Sequence, residues 1–147
     1  MTRSAAGHRL LQLGVVLFLL GLLVGFAIPA LPSPRMGLTS HLEGVMNGLF
    51  LIVLGLVWPR LALSPRLLDA TFWLALYGTF ANWLATLLAA MWEAGGMMPV
   101  AGQGRAGAAW AEGVVGFLLI SLSVAMVLVC GFVLVGLRGG GTGTSDL

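Results

Sequence analysis

The sequence predicts an all-α membrane protein with four transmembrane helices. Of its 147 residues, 59% are hydrophobic and 8% are charged, whereas an ordinary soluble domain has about 25% charged residues. Four apolar runs are long enough to span, compared with the roughly 20 residues that a bilayer core requires: residues 10–31, 40–58, 69–92 and 108–137. We assign residues 1–138 to one transmembrane domain and the Gly/Ser/Thr-rich residues 139–147 to a disordered tail.

The first run follows Arg3 and Arg9 and could be mistaken for a secretory signal. Its apolar part continues through residues 26–28, past the roughly 7 to 15 residues of a signal core. We therefore interpret it as the first transmembrane helix, closed by the prolines of residues 29–34.

The second run ends at Trp58-Pro59-Arg60, which combines an interfacial aromatic, a helix breaker and a charge. Counting about 20 residues back from Trp58 places His41 and Glu43 at the outer edge of the hydrocarbon, or within it. Asn47 lies deeper. Ionisable groups at this depth are costly and usually mark a functional site.

The third run, which Asp69 or Thr71 could cap, carries a polar stripe from mid-membrane to the outer surface. Its members recur at spacings of three, four and seven residues and are Thr79, Asn82, Thr86 and Glu93. Threonines in such helices often bond their own backbone, so Asn82 is the residue that most needs a partner. Trp83 beside it is also far from either interface. The Gly/Met-rich loop 93–107 has room to form a lid.

The arginines predict the orientation, because the chain has no lysine. Five of them fall on one side, and two, Arg35 and Arg105, fall on the other, so both termini are expected to be cytoplasmic. The net charge of +2 comes from these flanking arginines, and no basic patch suggests a nucleic-acid partner. Cys130 lies deep in the fourth helix and is interpreted as a packing residue.

A weak internal repeat predicts two related helical hairpins. The segment SHLEGV at residues 40–45 resembles AWAEGV at residues 109–114, and both follow an outer loop. Two hairpins related by an axis along the membrane normal would explain this similarity. Trp110 then takes the position that His41 holds in the first half.

The polar groups leave structural and catalytic interpretations open. Glu43 and Asn47 share one helix face, while the Gly44-x-x-x-Gly48 pair permits close approach of another helix or a flat ligand. His41 is either a hydrogen-bonded interfacial histidine or a ligand. Glu112 either stabilises the start of the fourth helix or takes part in chemistry.

The other histidine, His8, lies a bilayer's width from His41, so the two cannot ligate one metal within a subunit. A haem bound at His41 would therefore keep an open sixth position, which suits Lewis-acid chemistry on a substrate.

With these segments identified, the chain is similar to the hydroxylaminobenzene mutase family. The resemblance covers about residues 9–137 and includes two long blocks, PRMGLTSHLEGVMNG at 34–48 and LYGTFANW at 76–83. It implies a multi-pass protein of the bacterial inner (cytoplasmic) membrane. It also implies an isomerase that converts aryl hydroxylamines to 2-aminophenols by intramolecular hydroxyl transfer in nitroarene degradation.

The chain is more distantly similar to styrene oxide isomerase, a trimeric four-helix enzyme with ferric haem b. In that family a histidine ligates the haem, an asparagine six residues later helps to hold the epoxide, and a further asparagine lies in the third helix. His41, Asn47 and Asn82 match these positions, which implies a haem iron on His41 and a homo-oligomer, expected to be a trimer. The family's catalytic tyrosine, one turn beyond Asn82, is replaced here by Thr86.

On this hypothesis the iron held by His41 weakens the N–O bond, and Asn47 and Asn82 orient the substrate. Thr86 and Glu43 move the proton, with Glu112 as a further candidate. Other functions stay open: a small transporter, a haem electron carrier with a second ligand from another subunit, an epoxide isomerase, or a metal-free acid–base isomerase using Glu43 or Glu112.

Overall fold

Four long helices form the molecule. The computed structural model describes residues 3–139, and their helices are α1 (Arg3–Ala27), α2 (Pro34–Val57), α3 (Pro65–Trp92), the one-turn α4 (Pro99–Gly102) and α5 (Ala109–Arg138). Each long helix has the length and hydropathy to cross a membrane. The prediction of an all-α protein with four helices long and apolar enough to span a membrane is therefore confirmed. Except for Gly139, the predicted disordered tail lies outside the described residues.

The helices extend beyond the apolar runs, because a helix can continue into the headgroup region. α1 begins at Arg3 rather than at residue 10, and α2 begins at Pro34 rather than at residue 40. Proline suits the first turn of a helix, because a backbone N–H at that position would have no hydrogen-bond partner within the helix. For α3 the expected cap was wrong. Ser64 caps the helix, its Oγ accepting from the Leu67 N–H at 3.5 Å, and Asp69 and Thr71 lie within the helix.

The helices pack in a row, with α1 along α2, α2 also along α3, and α3 along α5. One end of the bundle holds the start of α1, the loop between α2 and α3, and the end of α5. The Ala62 N–H donates to the Gly136 carbonyl there, and Arg3 donates to the carbonyls of Leu61 and Leu63. We call this the arginine end, and the opposite end, which carries residues 28–33 and 93–108, the loop end.

α1 and α2 meet backbone to backbone through facing glycines. The pairs along this glycine seam are Gly7 with Gly55, Gly14 with Gly48, and Gly21 with Gly44. A methyl group on Gly44 would lie 2.5 Å from the Gly21 Cα, a distance that real side chains do not tolerate. Small residues permit this close approach between membrane helices, where van der Waals packing and not the hydrophobic effect holds the helices together.

Aromatic pairs fill the two ends of the bundle. At the arginine end, Trp58 packs edge-on against Phe72 at a centroid separation of 6.2 Å. At the loop end, Trp92 packs against Trp110 at 4.8 Å. Between the two ends, polar contacts from Ser40 and Glu43 also join α2 to α3.

Replacing Gly44 with alanine should destabilise the protein, because the new methyl group meets the α1 backbone and not a flexible side chain. We expect a loss of about 1–3 kcal/mol or more, measured as a lower unfolding temperature of the purified protein in detergent. Gly131→Ala is the matched control, because nothing lies within 4 Å of the added methyl group. Equal unfolding temperatures for the two variants would contradict the glycine seam.

Candidate active site

α2 presents polar side chains to two different neighbours. Glu43 and Asn47 lie one turn apart and face α3, whereas His41 faces α1. This division follows from the helical repeat of 3.6 residues, which turns position 41 away from positions 43 and 47. The predicted site residues of α2 therefore fall into two groups, which have different partners.

A carboxylate that bridges two asparagines lies between α2 and α3. Asn82 Nδ2 donates to Glu43 Oε2 at 2.6 Å, and Asn47 Nδ2 donates to the same oxygen at 3.0 Å. Asn47 also donates to the Glu43 carbonyl at 2.9 Å. Glu43 is thus the partner that the depth of Asn82 in the membrane predicted. Because the carboxylate oxygen accepts both bonds, the orientation of each amide is set. Each amide nitrogen donates to Glu43, and each amide oxygen has no donor among the described residues.

Three acceptor atoms of this cluster face no donor among the described residues: Glu43 Oε1 and the side-chain oxygens of the two asparagines. Asn47 is buried, while Glu43 and Asn82 are half-buried. The cluster can thus accept hydrogen bonds from N–H and O–H groups of a small ligand. Its partners come from two helices, so the arrangement exists only when α2 and α3 are packed together.

Thr86 and Ser40 hold the α3 backbone beside the cluster. The Thr86 hydroxyl donates to the carbonyls of Asn82 and Trp83, both at 3.0 Å, as expected of a threonine within a membrane helix. Ser40, fully buried on α2, donates to the Trp83 carbonyl at 3.2 Å. The Ser40 bond crosses from α2 to α3 and helps to set the register of the two helices, whereas the Thr86 bonds stay within α3. Thr86 lies at the cluster, but its proton points to its own helix.

Trp83 supplies a donor that the sequence analysis did not use. Its Nε1–H is buried and is the one fully buried side-chain polar atom of residues 3–139 without a partner. The adjacent ring carbon, Cδ1, lies 2.9 Å from where a Gly44 methyl group would be. An unmade buried hydrogen bond costs about 1–3 kcal/mol. The position of Trp83 far from either end of the third apolar run was the sequence signal for this buried donor.

His41 lies against the backbone of α1. Its Nδ1 is 2.9 Å from the Gly21 carbonyl oxygen, and a methyl group on Gly25 would lie 2.8 Å from the same nitrogen. Since a carbonyl can only accept, Nδ1 carries the proton and Nε2 holds a lone pair in the neutral ring. The half-buried ring is thus oriented by α1, and its Nε2 has no hydrogen-bond partner within residues 3–139.

Nε2 of His41 is the ring atom that could ligate a metal, because Nδ1 is bonded to the Gly21 carbonyl. Metal-ligating histidines usually donate their other ring N–H to a carbonyl or carboxylate, which fixes the tautomer, and the bond to Gly21 does this. Within residues 3–139 no group of three or more His, Cys, Asp and Glu side chains could hold a bare metal ion.

Glu112 lies apart from the cluster and organises the loop end. Its carboxylate accepts from the Gly107 N–H at 2.9 Å and from the Gly96 N–H at 3.1 Å. The same loop is closed by an ion pair between Glu93 and Arg105. The structure does not bring Glu112 into contact with Glu43, Asn47 or Asn82, and its position at the start of α5 matches the dipole-stabilising interpretation.

The fold and the site define a multi-pass membrane protein with a carboxylate and two amides held between its helices. The profile of the styrene oxide isomerase family matches residues 6–138. Hydroxylaminobenzene mutase HabB of Ectopseudomonas oleovorans is 57% identical over 138 residues, covering 93% of this chain and 84% of that protein. Hydroxylaminobenzene mutase HabA of the same organism is 50% identical over 114 residues, covering 77% and 84%. No solved structure matches the chain.

The chain therefore belongs to the styrene oxide isomerase family, and it is an isomerase of the mutase type. The resemblance inferred from residues 34–48 and 76–83 is confirmed. These two blocks contain Glu43, Asn47 and Asn82, so the residues that carry the resemblance are also those that the fold brings into contact.

The contact between His41 and α1 can be tested with a double-mutant cycle. Gly25→Ala places a methyl group on the His41 ring and should break its bond to Gly21, at a cost of about 1 kcal/mol. In a His41→Ala background the same substitution should cost nothing, since the ring is gone. Unfolding in detergent measures all four proteins. An equal cost in both backgrounds would mean that Gly25 packs against something other than His41.

Proposed function

We propose that this isomerase rearranges aryl hydroxylamines, with hydroxylaminobenzene as the type substrate, to 2-aminophenols. The observation that carries the proposal is the Glu43 carboxylate bridging two asparagines inside the membrane, in a chain 57% identical to a hydroxylaminobenzene mutase. An aromatic hydroxylamine partitions into lipid, and its N–H and O–H groups match the free acceptors of the cluster.

The reaction is an internal transfer that balances without external electrons. The N–O bond breaks, a C–O bond forms at the ortho carbon, that carbon loses a proton, and the nitrogen gains one. In the proposal, the side-chain oxygens of Asn47 and Asn82 accept from the substrate N–H and O–H and fix the ring position. Glu43 Oε1, which faces no protein donor in the described part of the chain, takes the ortho proton and returns it to nitrogen.

Thr86 and the packed helices support this chemistry indirectly. The Thr86 hydroxyl donates to the carbonyls of Asn82 and Trp83. Its main role in the proposal is therefore to hold Asn82 in place, and proton transfer by Thr86 is secondary. The apolar helices exclude bulk water, which would otherwise capture an electron-poor ring at the para carbon. Glu112 is assigned to the loop and not to the reacting atoms.

Haem b is proposed as the prosthetic group on His41. The support is the tautomer that Gly21 imposes, which leaves the Nε2 lone pair for iron, together with the match to the histidine of the distant relatives. When bound, the group would supply a Lewis acid that withdraws electrons from the hydroxylamine oxygen. His41 faces α1 and the cluster faces α3, so a group held by His41 would lie on a different face of α2 from the cluster.

The membrane topology and assembly are part of the same proposal. The arginine end, which holds both ends of the described chain, is proposed to face the cytoplasm by the positive-inside rule, with the bacterial inner membrane as the location. The hairpins α1–α2 and α3–α5 are proposed to be related halves. A homotrimer, as the distant resemblance implies, would cover the exposed side of the half-buried His41 ring.

Epoxide isomerisation is the second candidate, favoured by the match to the styrene oxide isomerase family. The hydroxyl of Thr86, bound to its own helix, stands where that family has a tyrosine. We therefore expect hydroxylaminobenzene to be the better substrate. The same preparation assayed with styrene oxide tests this order.

Glu43→Gln should lower kcat for 2-aminophenol formation by at least about 100-fold, the usual contribution of a general acid–base group. Glutamine keeps the shape but cannot carry a proton from carbon to nitrogen. Product formation by the purified protein is followed by chromatography. Glu93→Gln is the matched control, because Glu93 pairs with Arg105 in the outer loop and should keep wild-type kcat. A fully active Glu43→Gln protein would overturn the proposed proton transfer.

The haem proposal predicts a Soret band in the purified wild-type protein that His41→Ala removes, together with most of the activity. His8→Ala, on the exposed first turns of α1, should change neither the band nor the rate. An active wild-type preparation without haem would overturn the cofactor while leaving the isomerase proposal standing.

A further inference from the structure

A cavity of about 430 Å³ opens at the arginine end, away from the candidate active site. It lies between the first turns of α1, the first turns of α3 and the turn after α2. Its polar lining consists of Arg3, Arg66 and Asp69, all exposed, and its floor includes Trp58 and Phe72. None of these residues has a place in the proposed reaction.

Within the described part of the chain, neither arginine of this cavity forms an ion pair. The ion pair found within residues 3–139 joins Glu93 to Arg105, at the other end of the bundle. Asp69 also lines the cavity and forms no ion pair with either guanidinium; two arginines and one aspartate give the lining a net positive charge. An arginine has five N–H donors, and Arg3 uses two of its nitrogens on the carbonyls of Leu61 and Leu63. Donors are left for a ligand.

The floor of the cavity is apolar and well packed. Trp58 is 1% exposed and packs edge-on against Phe72, which is 3% exposed, and Leu68 completes this surface. Arg3 is tied to the loop between α2 and α3, so one guanidinium is held in place above the floor. A charged rim over a wall of aromatic and aliphatic carbon matches an amphipathic ligand better than a free inorganic ion.

The cavity lies at the end of the bundle where the candidate membrane spans of α1 and α3 begin and that of α2 ends. Arg60 and Arg138 mark the same end of the bundle, and arginines and tryptophans typically flank a span at the headgroup level. Basic pockets between transmembrane helices bind the headgroups of anionic lipids. The charge of the lining, the apolar floor and the position at the helix ends all suit such a headgroup.

We propose that this cavity binds an anionic phospholipid. The phosphate oxygens accept from Arg3 and Arg66, and the glycerol and first methylene groups lie against Trp58 and Phe72. The bound lipid links α1 to α3, which otherwise share few contacts, and thereby steadies the end of the bundle.

Native mass spectrometry of the full chain tests this site. The purified protein is offered equal amounts of phosphatidylglycerol and phosphatidylcholine, and the wild type should retain phosphatidylglycerol preferentially. Arg66→Gln should weaken that retention about five-fold, the effect expected for one arginine near an anionic surface. Arg60→Gln is the matched control, because it removes the same charge from the same end but Arg60 does not line the cavity.

Three results would overturn the site. Equal losses in Arg60→Gln and Arg66→Gln would show diffuse attraction to the surface. Equal retention of the two lipids by the wild type would show no selectivity for anionic headgroups. Displacement of the lipid by millimolar inorganic phosphate would show a site for free anions, provided that Arg60→Gln and the wild type bind phosphate with equal affinity. Arg3 is left unchanged because its guanidinium also holds the loop.

Discussion

The glycine seam between α1 and α2 is the contact on which the rest of the structure depends. It brings two backbones together where any side chain would separate them, as the 2.5 Å approach to the Gly21 Cα shows. Only at this separation can the His41 ring reach the Gly21 carbonyl at 2.9 Å. The seam therefore fixes the orientation of the histidine as well as the packing of the first two helices.

The same seam determines what α2 presents to α3. With one face of α2 committed to glycines, the neighbouring face, about 100° around the helix, carries Glu43 and Asn47 toward Asn82. The buried hydroxyl of Ser40 then bonds the Trp83 carbonyl. A helix with a backbone contact on one side and a polar contact on the other has little freedom to rotate, since rotation would break both sets of contacts.

Much of this arrangement could be predicted from the sequence. Hydropathy located the four spanning helices, and the demand of Asn82 for a partner followed from its depth in the membrane. Which partner it has could not be predicted, because that depends on the rotation of α3 against α2. The spacing of Gly7, Gly14 and Gly21 was a readable signal of the seam. The roles of Glu112 and Ser64 depend on loop conformations, which periodicity does not specify.

The polar cluster couples assembly to chemistry. A lone carboxylate in a membrane helix is costly, and Glu43 is made tolerable by two amide donors, one of which belongs to another helix. Asn47 is always within reach because it lies one turn away on α2, whereas Asn82 arrives only when α3 docks. The docked state alone therefore combines a satisfied Oε2 with an uncommitted Oε1. A membrane protein that needs a carboxylate for proton transfer can therefore keep it in lipid without an arginine partner. Amide partners are sufficient, because they stabilise the charge and leave one carboxylate oxygen free.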